Sequence, residues 1–303
     1  MKFQFLHTAL VAMALAASSP SWANNYEQQP KAIELANKLE AEKGIPASHT
    51  LSLLSQAQQL PRVIEAVKPP KTKSVRNWDT YRDRFVEPYR INKGTEFWNE
   101  NEAVLSRVES QFGIPANVIV AIIGVETIYG RHTGRDRVLD SLATLAFDYP
   151  SGQRDRSAFF LSELGAFIEL CYHTHLEATE VKGSYAGAIG LGQFMPSSWQ
   201  AYATDGDGNG VIDLMNSTED AIYSVANFLK VHGWETGHAM LVPVDIQNTN
   251  HLDTLLEPDI IPTFTPSEMA AKGLELKRAT LEDEKLALIE LVRGEDEPTY
   301  VVG

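Results

Sequence analysis

Apolar residues recur every three to four positions through most of the chain, which is the spacing of amphipathic helices. In "KAIELANKLEAEKG", residues 31–44, this spacing puts Ile33, Ala36, Leu39 and Ala41 near one helix face, and Gly44 is a typical helix stop. The same periodicity returns in "TEFWNENEAVLSRVESQFG" and in "IPANVIVAIIGVETIYG". The tetrapeptide GIPA precedes two of the predicted helices, because proline fits the start of a helix.

The pattern changes after His238. The segments "LVPVDI", "LALIELV" and "TYVVG" have the short, β-branched character of strands and are separated by turn-rich pieces. The sequence therefore predicts an α+β protein that is mainly α, with a helical body and a small β-containing module at the C-terminal end.

The first 23 residues have the pattern of an export signal. Lys2 supplies the positive end, "FLHTALVAMALAA" the short apolar run, and "SWA" before Asn24 is similar to a cleavage site. A membrane anchor is less favoured because the run is short, and a lipoprotein would need a cysteine directly after it. The only cysteine is Cys171, so no intrachain disulfide can form. We expect an exported, soluble protein.

Charge and hydropathy exclude two classes of partner. The net charge of −14 argues against a nucleic-acid or anionic-membrane binder held by bulk electrostatics. Beyond the N-terminus, no stretch is long and apolar enough for a transmembrane segment. We therefore expect neither nucleic acid nor a membrane span.

One carboxylate, Glu126, ends the most apolar helix of the chain. The helix has apolar residues on every side, which predicts a helix buried all round: Val118, Ile119, Ile122, Ile123 and Val125. Burial raises the pKa of a carboxyl group and can keep it protonated near neutral pH, as a general acid requires. The alternative is a structural glutamate paired with Arg131 or Arg135.

A glycine-rich stretch, "KGSYAGAIGLGQFMPSSW" at residues 182–199, is the second candidate feature. Glycines among small residues let the backbone approach a ligand closely, and Ser184, Tyr185 and Gln193 offer hydrogen bonds beside them. It is not a phosphate-binding Walker loop, because the glycine-lysine-serine ending is absent. A tight turn between helices is the alternative.

Residues 205–216, "DGDGNGVIDLMN", nearly fit the calcium loop of an EF-hand. Asp205, Asp207 and Asn209 take positions one, three and five, and a glycine takes position six. Val211 would offer its backbone carbonyl, and Asp213 could bind directly or through water. Position twelve should be a bidentate glutamate but is Asn216, so we expect weak affinity or a rearranged end that uses Glu219 or Asp220. An aspartate-rich surface turn without an ion is the alternative.

Four ordered segments together resemble the lytic murein transglycosylase B family: "IIGVETIYGR", "LATLAFDYP", "GSYAGAIGLGQFMPSS" and "DAIYSVANFLKVHGW". Weaker similarity extends back through "FWNENEAVL" and "YRDRFVEPYR". The resemblance implies a lysozyme-like helical catalytic core at residues 101–237, with the calcium loop at 205–216 inside it. It also implies an N-terminal helical domain at 24–100, a small β-containing domain at 238–303, and a periplasmic location.

The resemblance also implies a reaction. Members cleave the β-1,4 bond between N-acetylmuramic acid (MurNAc) and N-acetylglucosamine (GlcNAc) in peptidoglycan glycan strands, and form 1,6-anhydro-MurNAc ends. Glu126 matches the single catalytic acid of the family. It would protonate the glycosidic oxygen and then, as a carboxylate, accept the proton of the attacking C6 hydroxyl. Most glycosidases need a second carboxylate, and this reaction does not.

Other roles follow from the matched positions. Ser184 matches a serine that orients the acid or the N-acetyl group, and Gln193 a glutamine that holds saccharide. Tyr129, Phe147 and Tyr149 are expected to line the groove, or equally to pack in the core. The calcium ion that the family carries in its EF-hand-like loop would be structural, and no organic cofactor is implied.

The chain departs from the family pattern in three places. Phe159 stands where members typically have a tyrosine, and Ile128 where an arginine is common. Members continue beyond the last strand with a tyrosine-rich helical segment, so either the sequence is truncated at Gly303 or that part of the groove is missing. Two alternative functions stay open: a hydrolytic muramidase using a second carboxylate such as Asp148, and a non-catalytic peptidoglycan-binding or scaffold protein.

Overall fold

The computed structural model describes residues 25–69, 75–152, 154–238 and 240–303. The proposed export signal therefore lies outside the described residues. The α+β, mainly α class is confirmed: helices dominate the first three-quarters of the described chain, and short strands form one sheet near its C-terminal end.

The N-terminal part is a series of helices that follow a 3₁₀ turn at Tyr26–Gln28. They are α1 (Pro30–Lys43), α2 (Ala47–Leu54), α3 (Pro61–Val67), α4 (Trp78–Asp83) and α5 (Pro88–Glu100). Helix α1 ends at Gly44, which has φ of +68°, as predicted. Its buried face differs from the predicted one: Ala32, Leu35, Ala36 and Leu39 are buried, whereas Ile33 is 43% exposed.

The central part contains the candidate site. Its helices are α6 (Glu102–Phe112), α7 (Ala116–Thr127), α8 (Val138–Phe147), α9 (Ser157–Thr174), α10 (Pro196–Tyr202) and α11 (Thr218–Val231). Asn101 separates α5 from α6, with φ of −117° and ψ of 16°, so one predicted periodic segment forms two helices. Two short strands, β1 (Asp136–Arg137) and β2 (Lys182–Gly183), pair antiparallel and tie the glycine-rich stretch to the start of α8.

The C-terminal module is a small antiparallel sheet with two short helices. Its strands are β3 (Val242–Ile246), β4 (Leu274–Leu276), β5 (Leu288–Arg293) and β6 (Asp296–Val302), and its helices are α12 (Leu252–Leu256) and α13 (Pro266–Ala271). The strand order is β4-β3-β6-β5. Three strands were predicted and are confirmed; the three-residue β4 is too short for a sequence pattern to reveal.

Two hydrophobic clusters divide the described chain. The first extends from Tyr26 to Ala226 and joins the N-terminal and central helices in one core. The second belongs to the C-terminal module and contains Met269, which is fully buried. Arg293 of β5 donates a hydrogen bond to Asp79 of α4 at 2.7 Å, which links the module to the N-terminal helices.

In the described ranges, no single helix is long and apolar enough to cross a bilayer. Together, α6 and α7 reach that length and composition, but the chain bends by 116° between the two helices.

Candidate active site

Helix α7 carries Glu126 on an exposed face. Ile119 and Ile123 are fully buried, but Val125 is 44% exposed and Glu126 is exposed as well. The prediction of a helix buried all round is therefore wrong. On the outer side of α7, Ile122 lines a pocket beside Glu126 and Val125 faces solvent, and sequence periodicity does not distinguish these environments from the core.

The pocket beside Glu126 has a volume of about 250 Å³ and mostly apolar walls. Its other lining residues are Ile122, Gly192, Gln193, Phe194, Met195, Ser198, Val225, Phe228 and Leu229. Protein atoms on this side remove part of the hydration of the carboxyl group, and this desolvation raises the pKa of Glu126 above the usual glutamate value. The other side of the carboxyl group remains open to solvent.

Glu126 has no charged partner within the described part of the chain. Neither Arg131 nor Arg135 forms a hydrogen bond or ion pair with it, and Arg131 instead lies 3.9 Å from the carboxylate of Glu96. The structural alternative, a glutamate neutralised by one of these arginines, is wrong. A desolvated carboxyl group without a cation or a second carboxylate is suited to release a proton and to accept one again.

Gln193 lies in the same pocket and is held firmly. Its Nε2 donates hydrogen bonds to the carbonyl oxygens of Thr133 at 3.1 Å and Gly190 at 3.0 Å. Its backbone has φ of +52°, a left-handed conformation that is uncommon outside glycine. Gly190 is also left-handed, with φ of +77°, and a Cβ there would collide with the carbonyl oxygen of Leu214. The structure therefore brings Gln193 and Glu126 together, as predicted.

Thr127 was not predicted from the sequence, and it connects the two segments. Its hydroxyl is fully buried, donates to the carbonyl oxygen of Leu191 at 2.8 Å and accepts from the backbone N–H of Gly130 at 2.9 Å. The bond to Leu191 joins the end of α7 to the glycine-rich stretch. One weak signal for Thr127 is present in the sequence: a hydroxyl residue directly follows the candidate acid.

Ser184 and Tyr185 do not line the pocket of Glu126 in the described structure. The hydroxyl of Ser184 accepts hydrogen bonds from the backbone N–H groups of Ala186 at 3.3 Å and Ala188 at 3.0 Å, so it shapes the glycine-rich turn. Tyr185 is 47% exposed. Their contacts with saccharide stay predictions.

Each of the three candidate aromatic residues has a packing contact. Tyr129 lies 5.2 Å from Phe97, between Gly94 and Gly124, where a Cβ at either glycine would collide with its hydroxyl. Phe147 stacks on Tyr26 at 5.1 Å, and Tyr149 on Phe160 at 6.0 Å. None of the three lines the Glu126 pocket. These contacts fit the core-packing alternative, and sugar contacts stay predictions.

Asp148, the second carboxylate considered for a muramidase, is engaged elsewhere. It accepts hydrogen bonds from the hydroxyl of Tyr26 and from Nε2 of Gln59, the latter at 2.8 Å. It does not line the pocket, and among the described residues Glu126 is the pocket's single carboxylate. Asp148 therefore joins the N-terminal helices to the end of α8.

The loop at 205–216 folds as an EF-hand loop does at its start. Asp205 accepts backbone hydrogen bonds from Gly208 at 2.8 Å and Gly210 at 2.7 Å, and the side chain of Asn209 accepts from Val211 at 2.8 Å. These bonds wrap the chain around the carboxylate of Asp205. The oxygen ligands that calcium prefers are thus held in one turn.

The end of the loop differs from the predicted ligand set. Asn216 is exposed, and its Nδ2 donates to Asp213 at 2.8 Å. Carboxylate oxygens of Asp205, Asp207 and Asp220 lie within 4.8 Å of one another instead, and Asp220 is fully buried. Glu219, the other alternative, pairs with Arg107. The donor set fits calcium, with Asp220 as the carboxylate that closes it.

Comparison with known proteins gives the family. A family model described as "Transglycosylase SLT domain" matches residues 27–303. Membrane-bound lytic murein transglycosylase B of Escherichia coli K12 is 35% identical over 279 residues, 89% of this chain and 74% of its own length. Both findings cover the whole candidate site.

Solved structures agree with this match. Soluble lytic transglycosylase SltB1 of Pseudomonas aeruginosa is 37% identical, with a TM-score of 0.81 over 90% of this chain and 89% of its own. Lytic transglycosylase Slt35 of E. coli in complex with calcium is 35% identical, with a TM-score of 0.79 over 93% and 85%. SltB3 of P. aeruginosa in complex with NAG-anhNAM-pentapeptide is 27% identical, with a TM-score of 0.73 over 92% and 72%. The resemblance seen in the sequence is confirmed, and the chain belongs to the SLT-domain family of lytic murein transglycosylases.

Proposed function

We propose that this chain is a lytic transglycosylase that cleaves the β-1,4 bond between MurNAc and GlcNAc in peptidoglycan and leaves a 1,6-anhydro-MurNAc end. The observation that carries the proposal is Glu126: a carboxyl group with a raised pKa, at the edge of an apolar pocket, without a charged partner among the described residues. Family membership and the peptide-bearing anhydro sugar bound by SltB3 support the same reaction class.

Glu126 performs both proton transfers in this reaction. In the first step the C1–O4 bond breaks while the Glu126 proton moves to O4 of the leaving GlcNAc. As O4 leaves, the carbonyl oxygen of the MurNAc N-acetyl group bonds to C1, and this bond breaks again in the second step. In the second step the C6 hydroxyl oxygen bonds to C1, and its proton returns to the Glu126 carboxylate. The acid is thereby restored, and no water is consumed.

The pocket walls favour this outcome over hydrolysis. Hydrolysis needs a second group that activates a water molecule, and the remaining described walls are apolar apart from Gln193 and Ser198. Gln193 is anchored through its Nε2, so its amide oxygen can accept a hydrogen bond from a sugar hydroxyl or N–H group. We assign saccharide contacts to Ser184 and Tyr185 as well, on the flank of the glycine-rich stretch.

We further propose that the 205–220 loop binds structural calcium. The ligands are carboxylate oxygens of Asp205, Asp207 and Asp220, joined by the side chain of Asn209 and the carbonyl of Val211, with Asp213 bound directly or through water. Asn216 is not assigned a ligand role. The loop follows α10, which borders the Glu126 pocket, so the ion stabilises the site without entering the chemistry. The calcium complex of Slt35 supports this assignment.

We also propose a cellular location for the protein and a division of the chain into domains. The peptidoglycan substrate and the export pattern of residues 1–23 support a periplasmic location. Two separate hydrophobic clusters support a boundary near residue 238. The boundary near residue 100 separates helices that share a core, so 24–100 and 101–237 would behave as one folding unit.

Mass spectrometry of sugars released from purified peptidoglycan, with calcium present, tests the function. Transglycosylase action yields fragments one water lighter than hydrolytic products, and Glu126→Gln abolishes their release. Asp148→Asn is the matched control: it changes a carboxyl group outside the pocket, so anhydro products persist. Ordinary reducing ends would refute the proposal in favour of a muramidase. Wall binding without products would favour a scaffold protein.

A further inference from the structure

A buried carboxyl group outside the pocket holds one of the pocket's walls. Glu163 lies on α9, and 5% of its surface is exposed. It accepts two hydrogen bonds from Ser197, one from the backbone N–H at 3.0 Å and one from the hydroxyl at 2.6 Å. Both oxygens of the carboxyl group are thus used on a single residue, 34 positions away in sequence.

This contact provides a cap that helix α10 lacks locally. The first N–H groups of a helix have no partner within the helix and are commonly satisfied by a side chain just before it. The residue before α10 is Met195, whose thioether sulfur is only a weak hydrogen-bond acceptor, and its side chain forms no cap bond. Glu163 from a neighbouring helix accepts the N–H of Ser197 instead. The start of α10 is therefore fixed to α9.

The start of α10 is also part of the candidate site. Met195 and Ser198, on either side of the Pro196–Ser197 pair, line the Glu126 pocket. At the other end of the same short segment, Gln193 is fixed by its amide bonds to Thr133 and Gly190. Residues 193–198 therefore form one wall that is held at both ends, and Glu163 is the anchor at its α10 end.

We propose that Glu163 is a positioning residue for the transglycosylase reaction: it sets the distance between the Met195–Ser198 wall and Glu126. The proposal rests on the function assigned above, because it describes the same pocket. Glu163 does not line the pocket, so its effect passes through Ser197. Displacing a reacting group by about 1 Å can cost on the order of a hundredfold in rate.

Two substitutions separate hydrogen bonding from proton transfer. Glu163→Leu has no acceptor, so it leaves the N–H and hydroxyl of Ser197 unpaired. Glu163→Gln keeps both bonds, because its amide oxygen accepts from the N–H and its amide nitrogen donates to the hydroxyl. We expect kcat to fall by about 10- to 100-fold in Glu163→Leu, with KM changed less, and to stay within about threefold of wild type in Glu163→Gln.

The matched control is Asp140→Asn. Asp140 is equally buried, at 4% exposure, and accepts a hydrogen bond from the backbone of Gln58 at 2.9 Å, at the contact between α8 and the N-terminal segment. It does not line the pocket. This variant should lose stability without losing kcat, measured well below its unfolding temperature.

A second measurement reports the position of the Met195–Ser198 wall independently of catalysis. With methyl-labelled methionine, the Met195 resonance should shift in Glu163→Leu, and Met269 in the separate C-terminal core should not. An unmoved Met195 with normal kcat refutes the proposal, as does a Glu163→Gln variant as inactive as Glu126→Gln. If Glu163→Leu does not fold, Glu163→Gln combined with Ser197→Ala removes the hydroxyl bond and keeps the backbone bond. We then expect a smaller loss of kcat and a smaller shift of Met195, and no change in either refutes the proposal. If the wild type releases no sugar, the proposed function is refuted, and a shifted Met195 then shows only that Glu163 holds the Met195–Ser198 wall.

Discussion

Replacing Thr127 by valine tests how the end of α7 is joined to the glycine-rich stretch. Valine has nearly the same shape but no hydroxyl. The carbonyl of Leu191 would lose its partner in a buried contact, and the N–H of Gly130, which belongs to an exposed residue, would lose its partner in a partly buried one. The substitution therefore removes two hydrogen bonds with almost no change in packing volume.

The size of the effect follows from these two bonds. An ordinary intramolecular hydrogen bond contributes about 1 kcal/mol net, and a buried group left unpaired costs about 1–3 kcal/mol. With one buried acceptor and one partly buried donor left without a partner, we expect the free energy of unfolding to fall by about 1–3 kcal/mol. An unfolding entropy of about 2.1 cal/mol/K per residue makes 1 kcal/mol equivalent to roughly 1.6 °C in a chain of 303 residues, so Tm should fall by roughly 2–5 °C.

The assay compares Tm by calorimetry with kcat on purified peptidoglycan. Thr127→Val should lower kcat by about tenfold or more, because Glu126 and Gln193 lie on the two segments that the hydroxyl joins. Thr144→Val is the matched control: Thr144 is also fully buried and accepts the N–H of Leu60 at 2.9 Å, away from the pocket. It should lose stability and keep its kcat.

The hydroxyl itself is tested by Thr127→Ser, which keeps both hydrogen bonds and loses one methyl group worth about 1 kcal/mol. This variant should retain most of its kcat. If Thr127→Val costs less than about 1 kcal/mol, the hydroxyl does not bridge the two segments. If it loses stability but keeps the kcat of wild type, as Thr144→Val does, the connection has no part in placing Glu126.

Two further predictions concern ionisation and calcium. Because desolvation raises the pKa of Glu126, its charged form costs the folded state stability; Glu126→Gln should therefore raise Tm at pH 7 and not below about pH 4. The pH–rate profile of wild type should lose activity on its alkaline side at an apparent pKa above that of an ordinary glutamate, and a midpoint at or below about 4.3 would contradict the desolvation. Calcium at about 100 times its Kd should stabilise wild type by about 2.7 kcal/mol, seen as a higher Tm than in EGTA. Asp220→Asn should lose this gain and Asn216→Ala should keep it, whereas the reverse result would return the closing ligand to position twelve.

Local signals in the sequence were sufficient for much of the fold. Gly44 and Gly113 end their helices with φ of +68° each, and Pro46 and Pro115 directly precede α2 and α7. These features act within one helical turn, so a pattern of neighbouring residues is enough to find them. Glu126 was identified for a similar reason, because an ionisable group stands out at the end of an apolar helix.

The missed features depend on contacts between distant segments. Thr127 bonds to Leu191 across 64 positions, and Glu163 to Ser197 across 34. Asp220 was one of two alternatives for the end of the calcium loop, and the choice between it and Glu219 depends on α11 folding back onto the loop, where the Asp220 carboxylate accepts the N–H of Gly206 at 2.8 Å. A sequence pattern does not contain such distances. An apolar residue that lines a pocket, such as Ile122, or that faces solvent, such as Val125, looks like a core residue in the sequence, which is why α7 was expected to be buried all round.

The same bonds that position the site also hold its backbone in strained conformations. In the described ranges, five residues other than glycine have positive φ, and three of them, Ile128, Tyr129 and Gln193, lie within or beside the two segments that carry Glu126 and its pocket. Such conformations cost on the order of 1–3 kcal/mol each, and a β-branched residue such as Ile128 is among the least favourable. The backbone would relax toward helical or extended values if nothing opposed it. Thr127 opposes it at the end of α7, and the amide bonds of Gln193 oppose it in the facing wall. Loss of either contact should therefore release the strain and displace the acid from its pocket, so stability and catalysis depend on the same few hydrogen bonds.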